Sequence, residues 1–203
     1  MPIEQANAVR DARLAELQPQ LDAALTGRSR LTLEVGCGHG HFLTAYAKAH
    51  PDEFCVGIDL LADRLARAGR KSRSAGLTNV AWIHAEAGLL LEALPASVQL
   101  GPIIFVLFPD PWPKRRHWKH RVIQPAFLSQ LGARAEAGTC LCFRTDYEPY
   151  FTEAGNTIAA HPDWELDPTA PWPFEQPTVF QSRAKSFQSL VARRLPAGGR
   201  TRT

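Results

Sequence analysis

Apolar and polar positions along the chain fall into two rhythms, and their alternation predicts the architecture. Short apolar runs over Leu31–Val35, Phe54–Ile58, Val80–His84, Ile103–Phe108 and Thr139–Phe143 have the length and composition of strands. Between the first two, His41 to His50 sets Phe42, Leu43, Tyr46 and Ala47 on one helical face. The next helix repeats this with Leu61, Leu65 and Ala68 and turns Arg64, Arg67, Arg70 and Lys71 outward, where they read as a solvated face. Ile103 to Phe108 has no polar face, which predicts a central strand buried on both sides and ended by Pro109. Beyond Asp146 the pattern predicts a helix over Pro149–Ala160, a proline- and tryptophan-rich loop from Trp164 to Pro177, and a short apolar stretch near Ser189–Ala192. This βαβ rhythm predicts an α/β fold: a mostly parallel sheet with helices on both faces.

The 203 residues fit one compact domain, because single cores begin to split only beyond roughly 250 to 300 residues. The expected division is a helical arm over 1–30, the α/β domain over 31–195 and a frayed basic tail over 196–203. Met1 to Leu17 interleaves charges with its apolar residues, as a signal peptide does not, and no run reaches membrane-spanning length; a cytoplasmic protein is expected. Cys37, Cys55, Cys140 and Cys142 form no CxxC pair and lie in apolar runs, so they read as small reduced hydrophobes. His117-x-x-His120 and His39-x-His41 lack convergent partners at ligand spacing, so no metal site is expected.

Candidate chemistry starts at Leu33-Glu34-Val35-Gly36-Cys37-Gly38-His39-Gly40, a strand running into a glycine turn that opens a helix. Gly36, Gly38 and Gly40 permit positive φ and let a ligand lie against bare backbone. Three residues after Gly38 stands His41, so the dinucleotide pattern GxGxxG is not met and NAD is disfavoured. In an open parallel sheet the ligand lies outside the carboxyl ends of the strands, and there the sequence places Glu34, Asp59, Glu86, Asp110 and Asp146. Five acids repel a phosphate but suit a ligand with a sulfonium, an ammonium and two ribose hydroxyls. S-adenosylmethionine is such a ligand, with Asp59 at its ribose and Glu86 near its adenine.

The second constellation is Phe108-Pro109-Asp110-Pro111-Trp112-Pro113-Lys114-Arg115-Arg116-His117-Trp118-Lys119-His120-Arg121. Its prolines stiffen the exit from the central strand and fix Asp110 and Trp112 at small entropic cost. The overall charge of +3 is too mild to name a polyanionic partner. Its distribution is more telling, since clustered cations interleaved with aromatic rings suit phosphate contacts and base stacking. Arg116, Lys119 and Arg121 are expected to grip phosphates. Trp112 follows Asp-Pro directly, unlike the Asp/Asn-Pro-Pro-aromatic pattern of adenine amino-group methylases.

Taken together, this stretch, the upstream glycine turn and Arg144-Thr145-Asp146 resemble the bacterial tRNA (guanine-N7)-methyltransferase family from about Leu31 to Arg194. The resemblance implies a single Rossmann-like class I methyltransferase domain with a mostly parallel seven-stranded sheet; a monomer or a homodimer is expected, and the sequence does not choose between them. It also implies methyl transfer from S-adenosylmethionine to N7 of guanine 46 in the variable loop of tRNA. Glu34, Asp59, Glu86 and Asp110 would contact the cofactor, and Asp110 would also be catalytic. Lys114, the basic stretch Arg116 to Arg121, Asp146 and a C-terminal Thr-x-x-Glu motif would contact tRNA. That motif aligns with Thr178 to Gln181, so Gln181 stands where a glutamate is expected. Asp59 and Glu86 exchange the more usual Glu and Asp, and the N-terminal arm is short and weakly basic. A methyltransferase for another RNA and a non-catalytic RNA-binding paralogue are the competing readings.

Overall fold

The computed structural model describes residues 3–177, 181 and 184–198. Seven strands form one sheet in the order β3-β2-β1-β4-β5-β7-β6. Strands β1 (Arg30–Val35), β2 (Cys55–Asp59), β3 (Val80–His84), β4 (Gln99–Leu107) and β5 (Cys140–Thr145) are parallel. The last two, β6 (Trp164–Leu166) and β7 (Gln188–Arg194), make antiparallel pairs, β7 with β5 and β6 with β7. Five carboxyl ends therefore share one edge of the sheet, and the strand order reverses between β1 and β4. That reversal opens a crevice at the edge.

Strand β4 shows why helices cover both faces. Side chains alternate across a strand, so Ile104 and Val106 enter one core, while Ile103, Phe105 and Leu107 enter the other. Against Ile104 and Val106 pack α1 (Ile3–Leu25) through Leu17, Leu21 and Leu25, α4 (Ala87–Ala93) through Leu90 and Leu91, α5 (Pro125–Arg134) through Phe127, Leu128 and Leu131, and α6 (Glu148–Ala160) through Tyr150, Ala154 and Ile158. Against Phe105 packs α2 (His41–Ala49) with Phe42, Leu43, Tyr46 and Ala47, the face expected from the sequence. Each large buried side chain contributes about 1.5–3 kcal/mol of burial free energy. Helix α3 (Ala62–Ser74) lies over β2 and β3 through Leu65, Ala68 and Ser72.

Two elements depart most from the sequence reading, β4 at both ends and Trp164–Leu166 in kind. Strand β4 begins at Gln99, because Leu100 and Gly101 pair or pack beside Leu31 and Thr139 despite Pro102. It ends at Leu107, and Phe108 turns away with φ 49°. Trp164–Leu166, expected in a loop, is an edge strand held by β7 and by the Trp164 indole, whose N–H donates to the Leu128 carbonyl at 2.9 Å.

Candidate active site

Topology places the five carboxylates along the sheet edge in the order Glu86, Asp59, Glu34, Asp110, Asp146. Glu34 stands on β1 and Asp110 just beyond β4, the two strands that flank the reversal. Their surroundings differ sharply. Glu34 is buried on β1, and burial raises its carboxyl to about 8, opposed by a hydrogen bond from the Leu43 backbone N–H in the first turn of α2. Its Oε2 is buried with no hydrogen-bond partner. Asp59, also buried, accepts from the Gly38 N–H and the Leu61 N–H, each at 2.9 Å. It thus ties the glycine turn to the start of α3. Glu86 is exposed where it leads into α4, and Asp110 and Asp146 are exposed beyond β4 and β5.

The three glycines of the turn have two different jobs. Gly36 and Gly38 adopt φ 73° and 54°, and a Cβ on either would meet open space. Bare backbone there is left uncovered, with room for another group to approach. Gly40, also expected at the ligand, is buried with φ 66°, and its added Cβ would stand 2.5 Å from the Trp82 ring and 2.6 Å from Ala68. Its smallness lets α2, α3 and β3 close together. The cations of α3 also divide. Arg67 and Arg70 are exposed as expected. Arg64, by contrast, reaches 3.6 Å from Asp59, and Lys71 donates to the His39 carbonyl at 2.8 Å, so these two support the turn.

On the other side of the reversal, Phe108 and Trp112 both hold left-handed backbone, with φ 49° and 45°. Non-glycine residues in this region cost of order 1–3 kcal/mol and persist only where the surroundings enforce them. Here they bracket Asp110. The Phe108 N–H donates to the Arg144 carbonyl at 2.7 Å, and the Pro111 carbonyl accepts from Arg121 Nε at 2.9 Å. The Trp112 ring lies 5.1 Å from His120 and 5.7 Å from His117, half-buried beside the exposed Lys114, Arg116 and Lys119.

Arg121 corrects the sequence reading. Expected to meet a phosphate, its side chain is fully buried: it pairs with Glu153 of α6 and lies between the Trp118 and Tyr150 rings at 4.6 and 4.7 Å. The short 3-10 helix Arg115–His120 presents its arginines and lysine outward, and Arg121, directly after it, turns in. Arg121 therefore braces the Asp110 turn from behind. No local feature of the sequence marks it, because the carboxylate it finds lies 32 positions away. Arg144 and Glu153 were likewise not singled out as side chains with a role, and both prove to hold the site together. Gln181 accepts from Arg144 at 3.2 Å, whereas Thr178 lies outside the described residues. Cys37, Cys55 and Cys142 are buried and Cys140 half-buried, all as free thiols. Among the described residues no group of three metal-ligating side chains converges, and no helix is long and apolar enough to cross a membrane.

A mostly parallel sheet reversing beside β1, with a glycine turn after it and antiparallel strands at its far edge, has the architecture of the class I methyltransferase fold. Solved structures agree on the fold. The chain superposes on the aminoglycoside resistance methyltransferase NpmB1 with a TM-score of 0.59 at 18% identity, covering 88% of this chain and 93% of the other. The 16S rRNA (adenine(1408)-N(1))-methyltransferase from Catenulisporales acidiphilia, solved with its cosubstrate SAM, gives 0.59 at 20% identity, covering 94% and 93%. Residues 28–194 match a family model described as "Putative methyltransferase". A tRNA (guanine-N(7)-)-methyltransferase of Synechococcus elongatus is 31% identical over 176 residues, 82% of this chain and 83% of that protein. One from Thermus thermophilus is 36% identical over 140 residues, 69% of this chain and 45% of its own length. The chain spans about half the length of the first such relatives, and it belongs to the tRNA (guanine-N7)-methyltransferase family.

Proposed function

We propose that the protein transfers a methyl group from S-adenosylmethionine to N7 of guanine in tRNA, at guanine 46 of the variable loop. The observation that carries this reading is the pairing across the reversal of β1 and β4. On one side a buried, unpartnered carboxylate oxygen underlies open-faced glycines; on the other an exposed carboxylate stands on a backbone fixed on both flanks. The first side fits a cationic ligand, because an unsatisfied buried acceptor is costly until a donor or cation meets it. Gly36, Gly38 and Glu34 would hold S-adenosylmethionine there, with Glu86 nearer the sheet edge. Asp59 already spends one lone pair of each oxygen on backbone N–H groups and keeps others for a ribose.

When bound, that ligand supplies an electrophilic methyl on a sulfonium. Guanine N7 offers an in-plane lone pair and carries no proton, so the transfer needs no general base and positioning dominates. Asp110 orients the base by accepting from its exocyclic amine, and its charge faces the positive charge that grows on the purine as the methyl arrives. The flanking left-handed residues keep that carboxylate from relaxing away. Lys114, Arg116 and Lys119 draw in the phosphate backbone, and Asp146 lies at the next strand end on the base side. With tRNA as its substrate, the protein would act in the cytoplasm.

The test is nucleoside mass spectrometry of tRNA after incubation with the protein and S-adenosylmethionine, together with tRNA from cells lacking the gene. The expected results are 7-methylguanosine formed in the first case and lost from position 46 in the second. A different methylated nucleoside, or none, would overturn the proposal.

A further inference from the structure

Arg144 stands one residue from the end of β5 with its side chain only 4% exposed, yet three segments meet on it. Nε donates to Ser189 Oγ of β7 at 2.7 Å, and Nη2 and Nη1 donate to the two oxygens of Glu175 at 2.8 and 3.1 Å. Nη1 also donates to Gln181 Oε1 at 3.2 Å. The guanidinium lies 4.0 Å from the Trp172 ring centre and 4.7 Å from that of Phe187. Two residues along from Trp172, Phe174 packs edge-on against Phe42 and Tyr46 of α2. The stretch Trp172–Gln176 is therefore pinned across the end of the sheet, next to the strand that leads into Asp146. Since the Arg144 carbonyl also holds Phe108, one residue fastens this stretch and the Asp110 loop to each other.

A guanidinium this buried requires a carboxylate. Glu175 supplies it, and its carboxyl is held below the usual range by the hydrogen bond from Arg144 and, in a smaller part, by one from Gln181. Gln181 thus bears on both partners: its oxygen accepts from Arg144, and its side-chain amide lowers the Glu175 carboxyl. A glutamate at 181 has nothing to donate and would set two like charges on one cation. The glutamine is the residue that fits once the charge is at 175.

We infer that Glu175 is a positioning residue of the tRNA side of the site, and that Glu175 and Gln181 act as an exchanged carboxylate–amide pair which clasps Trp172–Gln176 onto Arg144. Its role in tRNA positioning rests on the methyltransferase reading above; the clasp itself does not. The arrangement predicts a reciprocal cycle. Glu175→Gln leaves two amides on the cation, and Gln181→Glu leaves two carboxylates, so each alone loosens the clasp. Together the two changes rebuild it in mirror image.

The experiment measures three variants, Glu175→Gln, Gln181→Glu and the double, by two readouts. One is the KM for tRNA against kcat in methyl transfer; the other is hydrogen exchange of the backbone amides between Trp172 and Gln176. Each single change is expected to raise KM and speed exchange by about threefold to tenfold, the range for a charge-assisted contact that is partly exposed. The double variant should return both to within about twofold of the starting protein. Single variants that behave like the starting protein, or a double variant no better than the singles, overturn the inference. Should the starting protein transfer no methyl group, the functional reading fails on its own and the exchange cycle alone decides the clasp.

Discussion

The two sides of the β1–β4 reversal hold their charges by opposite means. On the β1 side Glu34 and Asp59 are buried, and backbone N–H groups of the glycine turn, α2 and α3 are already turned upon them. On the β4 side Asp110, Lys114, Arg116 and Lys119 stand in solvent, while the backbone beneath them is braced by the buried Arg121. The contrast matches two kinds of ligand. A small cation is selected best by desolvated acceptors, whose pull is stronger in a low dielectric. A large hydrated polyanion is met by long, mobile side chains on a rigid base. Fold and chemistry are therefore coupled on the first side and separable on the second.

The largest expected effect tests that separability. Asp110→Asn should lower kcat for methyl transfer by about a hundredfold or more, the scale for losing one electrostatic contact made in the transition state. The thermal midpoint should stay unchanged, because the carboxylate is exposed, and tRNA should still bind, because the cations that grip its backbone are intact and the asparagine oxygen can still accept. Turnover equal to that of the starting protein would remove Asp110 from the reaction, and a large drop in stability would show that this side is not separable.

Arg121→Ala should do the reverse. Removing a buried guanidinium strands Glu153 and opens the space between Trp118 and Tyr150. The expected cost is about 2–3 kcal/mol in urea unfolding, below the full range for a broken buried pair because Glu153 can rehydrate. The double change Arg116→Ala with Lys119→Ala should leave unfolding within about 0.5 kcal/mol of the starting protein. It should, however, flatten the dependence of log affinity for tRNA on log salt by about 0.7–0.9 per lost phosphate contact. Equal effects of the two substitutions on the salt slope would return Arg121 to the RNA-facing surface.

Within the glycine turn the same contrast is expected on a smaller scale. Gly40→Ala drives a Cβ into Trp82 and Ala68 and should cost about 2 kcal/mol of stability. Gly38→Ala meets no atom and should cost about 1 kcal/mol for its left-handed backbone alone. Its main effect should be weaker S-adenosylmethionine binding by calorimetry. If Gly38→Ala bound as tightly as the starting protein, the open face of the turn would not be the ligand site.

How much of this was legible in the sequence follows from the range of the interactions involved. Apolar-rich runs mark β1 to β5, most clearly β4, where a strand buried on both faces needs no partner to be recognised, and even the half-buried edge strand Val80–His84 was read with its observed ends. The strand-end acids were legible for the same reason, since each lies within or shortly after such a run. Trp164–Leu166 was not, because three residues become a strand only when β7 lies alongside. Nor could Arg121 be told from Lys119, or Gly40 from Gly38. In both pairs the residue type is suited to either role, and the decision rests with Glu153 and Trp82, which are distant in sequence.

The smallest expected effect probes the buried side through pH. Burial lifts the Glu34 carboxyl from its ordinary 4.5 to about 8, with the nearby Asp59 charge adding to the rise. Between those values the unfolded chain has released its proton and the folded protein keeps it, so this residue's contribution makes stability fall as pH rises. Below about 4.5 both states are protonated and the effect vanishes; above about 8 it is fully present. Glu34→Gln keeps the shape and removes the titration. In the ligand-free protein its stability relative to the starting chain should therefore climb through this window, by about 1 kcal/mol or more at the alkaline end. Other titrating groups are common to both proteins and cancel in that difference. Urea unfolding below, within and above the window reads it directly, and a difference that stays flat with pH would mean that Glu34 is already ionised and partnered. Saturating S-adenosylmethionine should reverse the order, because the ligand's cation stabilises the carboxylate that the variant lacks. A buried charge that is unfavourable in the free protein would thus be the one that its ligand satisfies.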